Sequence, residues 1–133
     1  MNLISNSIKY ADPAKESRTV EVRGYVMVSA ADRPSEVVVE VRDNGIGVPH
    51  ALRGQLFERF FRAHKQTVPD VDGTGLGLSI VRETVESLGG RVWADFPQEG
   101  SVFAFAIPCR RTADAASMGE YVSVRRESEE RRP

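Results

Sequence analysis

The sequence is poor in several things that would otherwise direct its reading. It has a single cysteine, Cys109, so no intrachain disulfide and no cysteine-based zinc site can form. It has two histidines, His50 and His64, which do not stand at metal-ligand spacing with each other or with acidic clusters. It has no apolar run near the ~18 residues that a membrane-spanning helix needs. It has no surplus of either charge: 18 Lys+Arg against 19 Asp+Glu leave a net charge of −1. Nothing there predicts nucleic acid or direct membrane contact. The first residues, MNLISNSIKY, reach Lys9 before a signal-peptide core can form. That predicts a cytoplasmic segment, and leaves open a membrane anchor elsewhere in a parent protein.

What is present is ordinary for a globular domain: 133 residues, 41% hydrophobic and 28% charged. Residues 2–11 carry Leu3, Ile4, Ile8 and Ala11 at helical spacing, and Asp12-Pro13 ends that helix. Residues 19–29 alternate, with Val20, Val22, Val26 and Val28 on one parity and Gly24 a candidate bulge. Residues 36–42 alternate again, with Val37, Val39 and Val41 predicted inward. Residues 50–61 read as short helical turns, and residues 62–74 as a polar loop. Residues 75–88 are the strongest helix, with a stripe of Leu78, Val81, Val85 and Leu88 stopped by Gly89-Gly90. Residues 91–96 and 101–108 form a second hairpin. Residues 110–133 mix arginines with acids and show little apolar periodicity, which predicts a charged, disordered tail. The order predicts an α+β fold for residues 1–109: an α/β sandwich of mostly antiparallel sheet with helices on one face.

The run GTGLGLSIV, residues 73–81, raises the question of function. Three glycines at the mouth of a helix expose unpaired N–H groups at the positive end of its dipole, where phosphate is the usual guest. Two common phosphate motifs are excluded. The dinucleotide fingerprint needs glycine at the sixth position from Gly73, and Leu78 is there. A Walker-type loop needs Gly-Lys-Ser/Thr, and the lysines follow Ile8, Ala14 and His64.

Three further stretches fit the same ligand. In NLISNSIKY, Asn2 and Asn6 lie one turn apart on one helix face, with Lys9 on a neighbouring edge. A carboxamide oxygen suits Mg2+, and a lysine offsets phosphate charge. In DNGIG, Asp43 ends a strand, where a carboxylate can accept from the exocyclic amine of adenine, and Gly45 and Gly47 let backbone approach the base. In LFERFFR, phenylalanines precede the polar loop and Arg62 stands at its base, able to grip a terminal phosphate in bidentate fashion. Each stretch alone has a structural explanation: solvated amides, a tight turn, a core aromatic cluster.

Together and in this order they resemble the catalytic ATP-binding domain of sensor histidine kinases. NLISNSIKY resembles the N box of that family, DNGIG the G1 box, LFERFFR the F box and GTGLGLSIV the G2 box. The likeness runs from Asn2 to about Pro108. It implies a Bergerat-type fold, with ATP and Mg2+ as ligands. It implies that Asn6 ligates magnesium, that Asn2 and Lys9 lie by the phosphates, and that Tyr10 lies near adenine. It implies that Asp43 reads adenine while Gly45 and Gly47 shape the base pocket. Phe57 and Phe60 would support a lid formed by residues 63–72, and Arg62 would contact the γ-phosphate. The amides of Gly73, Thr74, Gly75, Leu76 and Gly77 would meet the phosphates. The implied partners are a histidine-containing dimerisation domain of the parent kinase and a response regulator.

The departures from the family are equally informative. The chain begins within the N box, where the family has a preceding strand and half-helix. Neither His50 nor His64 sits in the His-acid-x-basic-x-Pro context of the phospho-accepting histidine. The expectation is a protein-histidine kinase module that holds ATP and needs a histidine from outside this chain. Three alternatives remain at this point. An ATPase of the same fold would place a water-activating glutamate where Asn2 stands. A serine kinase of the anti-sigma type normally lacks an F box. A truncated nucleotide-binding remnant would bind without catalysis.

Overall fold

The computed structural model describes residues 2–28, 34–64, 73–109 and 122–127. Helix α1 spans Asn2–Lys9, strand β1 Thr19–Met27 and strand β2 Ser35–Asp43. A 3-10 turn at His50–Gln55 follows, then helix α2 at Gly77–Ser87. Strands β3 (Arg91–Asp95), β4 (Ser101–Cys109) and β5 (Val122–Glu127) complete the chain. The five strands form one sheet in the order β3-β4-β2-β1-β5, and every described pairing is antiparallel.

Alternation along the strands sets the faces. Val22 pairs with Val41, Val41 with Phe103, and Phe103 with Ala94, so these side chains share one face. Both helices cover that face and pack beside each other, α1 over β1 and β2, α2 over β3 and β4. Leu3, Val41, Leu56 and Phe103 form the buried cluster, joined by Val20, Val22, Phe57, Leu78 and Val81. The opposite face carries a polar ladder. Arg91 bonds Glu36 at 2.9 Å and stacks over Trp93, and Tyr25 donates to Glu40 at 3.0 Å.

Several expectations need correction. Gly24 is no bulge: the β1–β2 register runs unbroken through Gly24↔Val39. In α1 the buried pair is Leu3 and Ser7, while Ile4 and Ile8 are exposed. A polar residue is buried because its hydroxyl meets Asp43, as described below. In β2, Val41 is buried as expected, but Val37 lies exposed beside exposed Val26 at the end of the sheet. Val38, on the second face of this central strand, is fully buried opposite Ala106. In α2, Leu78, Val81 and Val85 face inward as the stripe requires, whereas Leu88 at the C-terminal end is exposed. The disordered tail does not hold for residues 122–127, which pair with the outer edge of β1 from Thr19↔Glu127 to Gly24↔Val122. Backbone groups on a sheet edge can be satisfied by a strand with no apolar periodicity. The rest of that tail, and most of the expected lid, lie outside the described residues.

Candidate nucleotide site

A cavity of about 310 Å3 lies between α1, the turn after β2, the residues before and at the start of α2, and the end of β4. Its volume is in the range of small-molecule sites. Twelve of the fifteen residues that the sequence nominates line it. At one end are Tyr10, Asp43 and Gly47. Asn2, Asn6 and Lys9 of α1 supply one wall, and Arg62 another. The run Gly73, Thr74, Gly75, Leu76 and Gly77 lines the remainder.

Asp43 is the best-held of these. It is the last residue of β2 and is buried. Its Oδ1 accepts the N–H groups of Gly45 at 2.9 Å and Ser101 at 3.2 Å. Its Oδ2 accepts the Ser7 hydroxyl at 3.1 Å. Burial raises the carboxyl above its ordinary range, against the pull of those three bonds and of the Lys15 charge. A carboxylate offers about four lone-pair directions. Three are taken, so Oδ2 keeps one for a donor in the cavity.

The glycine-rich end of the cavity is held by backbone bonds and by Asn2. Asn2 Nδ2 donates to the Gly77 carbonyl at 3.1 Å and so ties the start of α1 to the start of α2. The Ile80 N–H bonds the Leu76 carbonyl at 2.9 Å, which leaves the amides just before it without helical partners. Ahead of them, Gly75 adopts φ +72° and its carbonyl accepts the Phe60 N–H at 2.9 Å. Phe60 is itself at φ 64°, the one described residue other than glycine with a positive φ.

Three nominated residues do not line the cavity. Gly45 stands behind it. A Cβ there would collide with the Tyr10 carbonyl, which already accepts the Ile46 N–H at 3.0 Å. Gly45 thus seats the turn against α1. Phe57 packs edge-on against Phe103, with ring centroids 6.4 Å apart, and belongs to the core. Phe60 points outward, 73% exposed. The aromatic of this segment that reaches the cavity is Phe61.

Sequence reasoning missed Ser7, Ser101 and His64. Ser7 lies four residues after Leu3 on the buried helix face, and that spacing is a usable signal. Ser101 is opposite Asp43 in the strand register, which no local pattern reveals. His64 is buried, lines the cavity, and bonds the Gly47 carbonyl through Nε2 at 2.8 Å.

Residues 1–111 match the family model described as histidine kinase-, DNA gyrase B-, and HSP90-like ATPase. The chain belongs to this ATPase family. Within the family its relatives include sensor kinases. It is 34% identical over 114 residues to the sensor protein kinase WalK of Staphylococcus saprophyticus, covering 85% of this chain and 18% of that protein. It is 34% identical over 110 residues to the sensor histidine kinase WalK of Bacillus subtilis, covering 80% of this chain and 16% of that one. The chain thus spans less than a fifth of the length of these relatives. Among solved structures, the catalytic domain of histidine kinase ThkA aligns with TM-score 0.56 and 30% identity, over 80% of this chain and 61% of that one. Full-length ShkA in complex with AMPPNP aligns with TM-score 0.58 and 27% identity, over 84% of this chain and 21% of that one. The ATPase-family fold is the α+β architecture expected from the sequence.

Proposed function

We propose that the chain is the Mg-ATP-binding catalytic domain of a two-component sensor histidine kinase, and that it delivers the γ-phosphoryl group to a histidine located outside residues 1–133. One observation carries this reading: a single cavity joins a buried carboxylate with one open acceptor position to a run of helix-start amides flanked by cations. The first suits the amine of adenine, and the second suits a polyphosphate.

Asp43 accepts the adenine amine at Oδ2, and a base with a carbonyl in that place is rejected by lone-pair repulsion. The amides from Gly75 to Gly77 meet phosphate oxygens. Lys9 and Arg62 offset the charge that builds on the phosphates. Among the described residues there is no cluster of three His, Cys, Asp or Glu that could hold a metal alone. Asn6 offers a neutral oxygen, which fits an ion that shares its shell with water and phosphate. Bound there, Mg2+ would neutralise and align the phosphates.

In the transfer, an imidazole nitrogen of the partner histidine forms the bond to γ-phosphorus. The bond from phosphorus to the β–γ bridging oxygen breaks, and ADP leaves. The imidazole proton passes to a base carried by the partner. A hydrolase of the same fold would need a base at position 2. Asn2 is an amide whose Nδ2 is committed to Gly77, so water is not activated there. The partners on this reading are the dimerisation domain of the parent kinase, and beyond it a response regulator. Among the described residues no helix is long and apolar enough to cross a membrane, and use of ATP assigns the domain to the cytoplasmic side.

Calorimetric titration tests the reading: ATP with Mg2+, ATP with EDTA, and GTP as control. Adenine-selective binding that strengthens with Mg2+ is expected. No binding of any nucleotide by the folded chain would overturn it.

A further inference from the structure

His64 is the feature of the cavity that the function above leaves unused. The residue is 7% exposed and lines the cavity that holds Asp43 and Gly47. Its Nε2 lies 2.8 Å from the Gly47 carbonyl oxygen. A carbonyl only accepts, so Nε2 carries the proton and donates. In the neutral ring that leaves Nδ1 as an acceptor. Nδ1 has no hydrogen-bond partner among the described residues, and it is not among the buried atoms sealed from solvent. The Tyr10 ring stands beside the imidazole, centroids 5.3 Å apart and planes tilted by 44°. The two rings make an aromatic corner, and Gly47 pins one of them in place.

A ring with one nitrogen locked and the other left with a spare lone pair, on a residue that lines a cavity, is placed to accept from a donor that fills that cavity. We propose that His64 is a further nucleotide-binding residue, whose Nδ1 accepts a hydrogen bond from an N–H or O–H donor of the nucleoside half of ATP. This rests on the cavity being the ATP site. Two donors suit that half: the second N–H of the adenine amine, whose first is taken by Asp43, and the ribose hydroxyls. Phosphate is no candidate, because its oxygens do not donate at neutral pH.

Two substitutions separate the two ring nitrogens. In His64→Gln the side-chain amide reaches as far as Nε2 and can still donate to Gly47, but nothing replaces Nδ1. In His64→Asn the amide oxygen replaces Nδ1, and the bond to Gly47 is lost. ATP and AMP are titrated into the wild type and both variants, each first shown to be folded by circular dichroism. The Gln variant is expected to lose about tenfold in affinity, ~1.4 kcal/mol, and to lose it equally for ATP and AMP. The Asn variant is expected to stay within about threefold of wild type.

Analogues then identify the donor. With 2′-deoxy-ATP, 3′-deoxy-ATP or inosine triphosphate, the gap between wild type and the Gln variant closes for the analogue that lacks the bonded group. Gln binding ATP as well as wild type would overturn the proposal. So would a loss confined to ATP and absent with AMP, or a gap that no analogue closes. Failure of the folded wild type to bind any nucleotide is a different result: it removes the ATP site itself.

Discussion

The Ser7 hydroxyl donates to Oδ2 of Asp43 at 3.1 Å, joining the N-terminal helix to the last residue of β2 at the foot of the cavity. The carboxyl is buried, and desolvation pushes it above its ordinary value of 3.8 despite the bonds from Gly45, Ser7 and Ser101. Relative to the unfolded chain, the fold therefore shifts the balance toward the protonated form. The native state holds this proton at a pH where the unfolded chain has released it. The contribution of Asp43 to stability is thus full below about pH 3.8, and is lost as pH rises through the raised native value.

Asp43→Asn should remove that loss. The amide oxygen can accept the Gly45 and Ser101 N–H groups, its nitrogen can donate to Ser7 Oγ, and the Ser7 proton can turn to the Leu3 carbonyl at 3.3 Å. The unliganded variant should therefore melt at pH 7 no lower than wild type, and its melting point should vary less with pH in the acid range. Its affinity for ATP should fall by about 10- to 100-fold, because an amide N–H then faces the adenine amine. Scanning calorimetry across pH, paired with ATP titration, checks both halves. A large drop in melting point at pH 7 would count against the burial argument.

Asn6→Ala separates metal from nucleotide. Asn6 lines the cavity on α1, one turn from Asn2 and three residues before Lys9. If its amide oxygen ligates Mg2+, the variant should lose at least about tenfold in ATP affinity with Mg2+ present, and little in EDTA. An equal loss in both buffers would assign Asn6 to packing or to direct phosphate contact.

The three glycines that open α2 look equivalent in the sequence and are not. A Cβ on Gly73 would meet nothing among the described residues within 4 Å. A Cβ on Gly77 would rest at 3.7 Å from the Asn2 side chain, ordinary contact. A Cβ on Gly75 would lie 2.7 Å from the Phe60 carbonyl carbon, at a backbone φ of +72°. Gly75→Ala should thus cost about 1–3 kcal/mol, while Gly73→Ala should leave stability within about 0.5 kcal/mol. Urea unfolding of the two variants measures the contrast. A Gly75→Ala protein as stable as wild type would mean that Phe60 can move aside freely.

Much of this was legible in the chain. Alternating valines marked β1 and β2, and the stripe of Leu78, Val81 and Val85 marked α2, because periodicity reports which face an element buries. The order of four short motifs located the cavity. What periodicity does not report is where the covering layer stops. Val26 and Val37 sit on the helix-covered face and are still exposed, 44% and 39%. Nor does it predict a buried polar residue whose reason is a partner far along the chain. Ser7 is buried for Asp43, and so the pattern placed Ile4 and Ile8 inward when both face out. His64 was passed over because its partner is a backbone carbonyl, which leaves no trace in sequence. Strand β5 was missed because its partner strand lies about a hundred residues earlier in the chain, and no local pattern reports such a pairing.

Phe57 and Phe60 show how neighbouring, identical residues can be told apart by structure. Both fall in the same aromatic-rich stretch and both were expected to support a lid. Phe57 packs on Phe103 in the core, whereas Phe60 is 73% exposed and owes its placement to the backbone bond with Gly75. Phe57→Ala should therefore destabilise the domain by about 2–4 kcal/mol through lost burial and the cavity left behind. Phe60→Ala should change stability by less than about 0.5 kcal/mol, since surface truncations away from caps and cores do little. Small relief is also available, because alanine tolerates the φ of 64° no worse than phenylalanine. Equal losses from the two substitutions, measured by urea unfolding, would show that Phe60 folds back onto the domain in solution and that the outward ring is not its resting position.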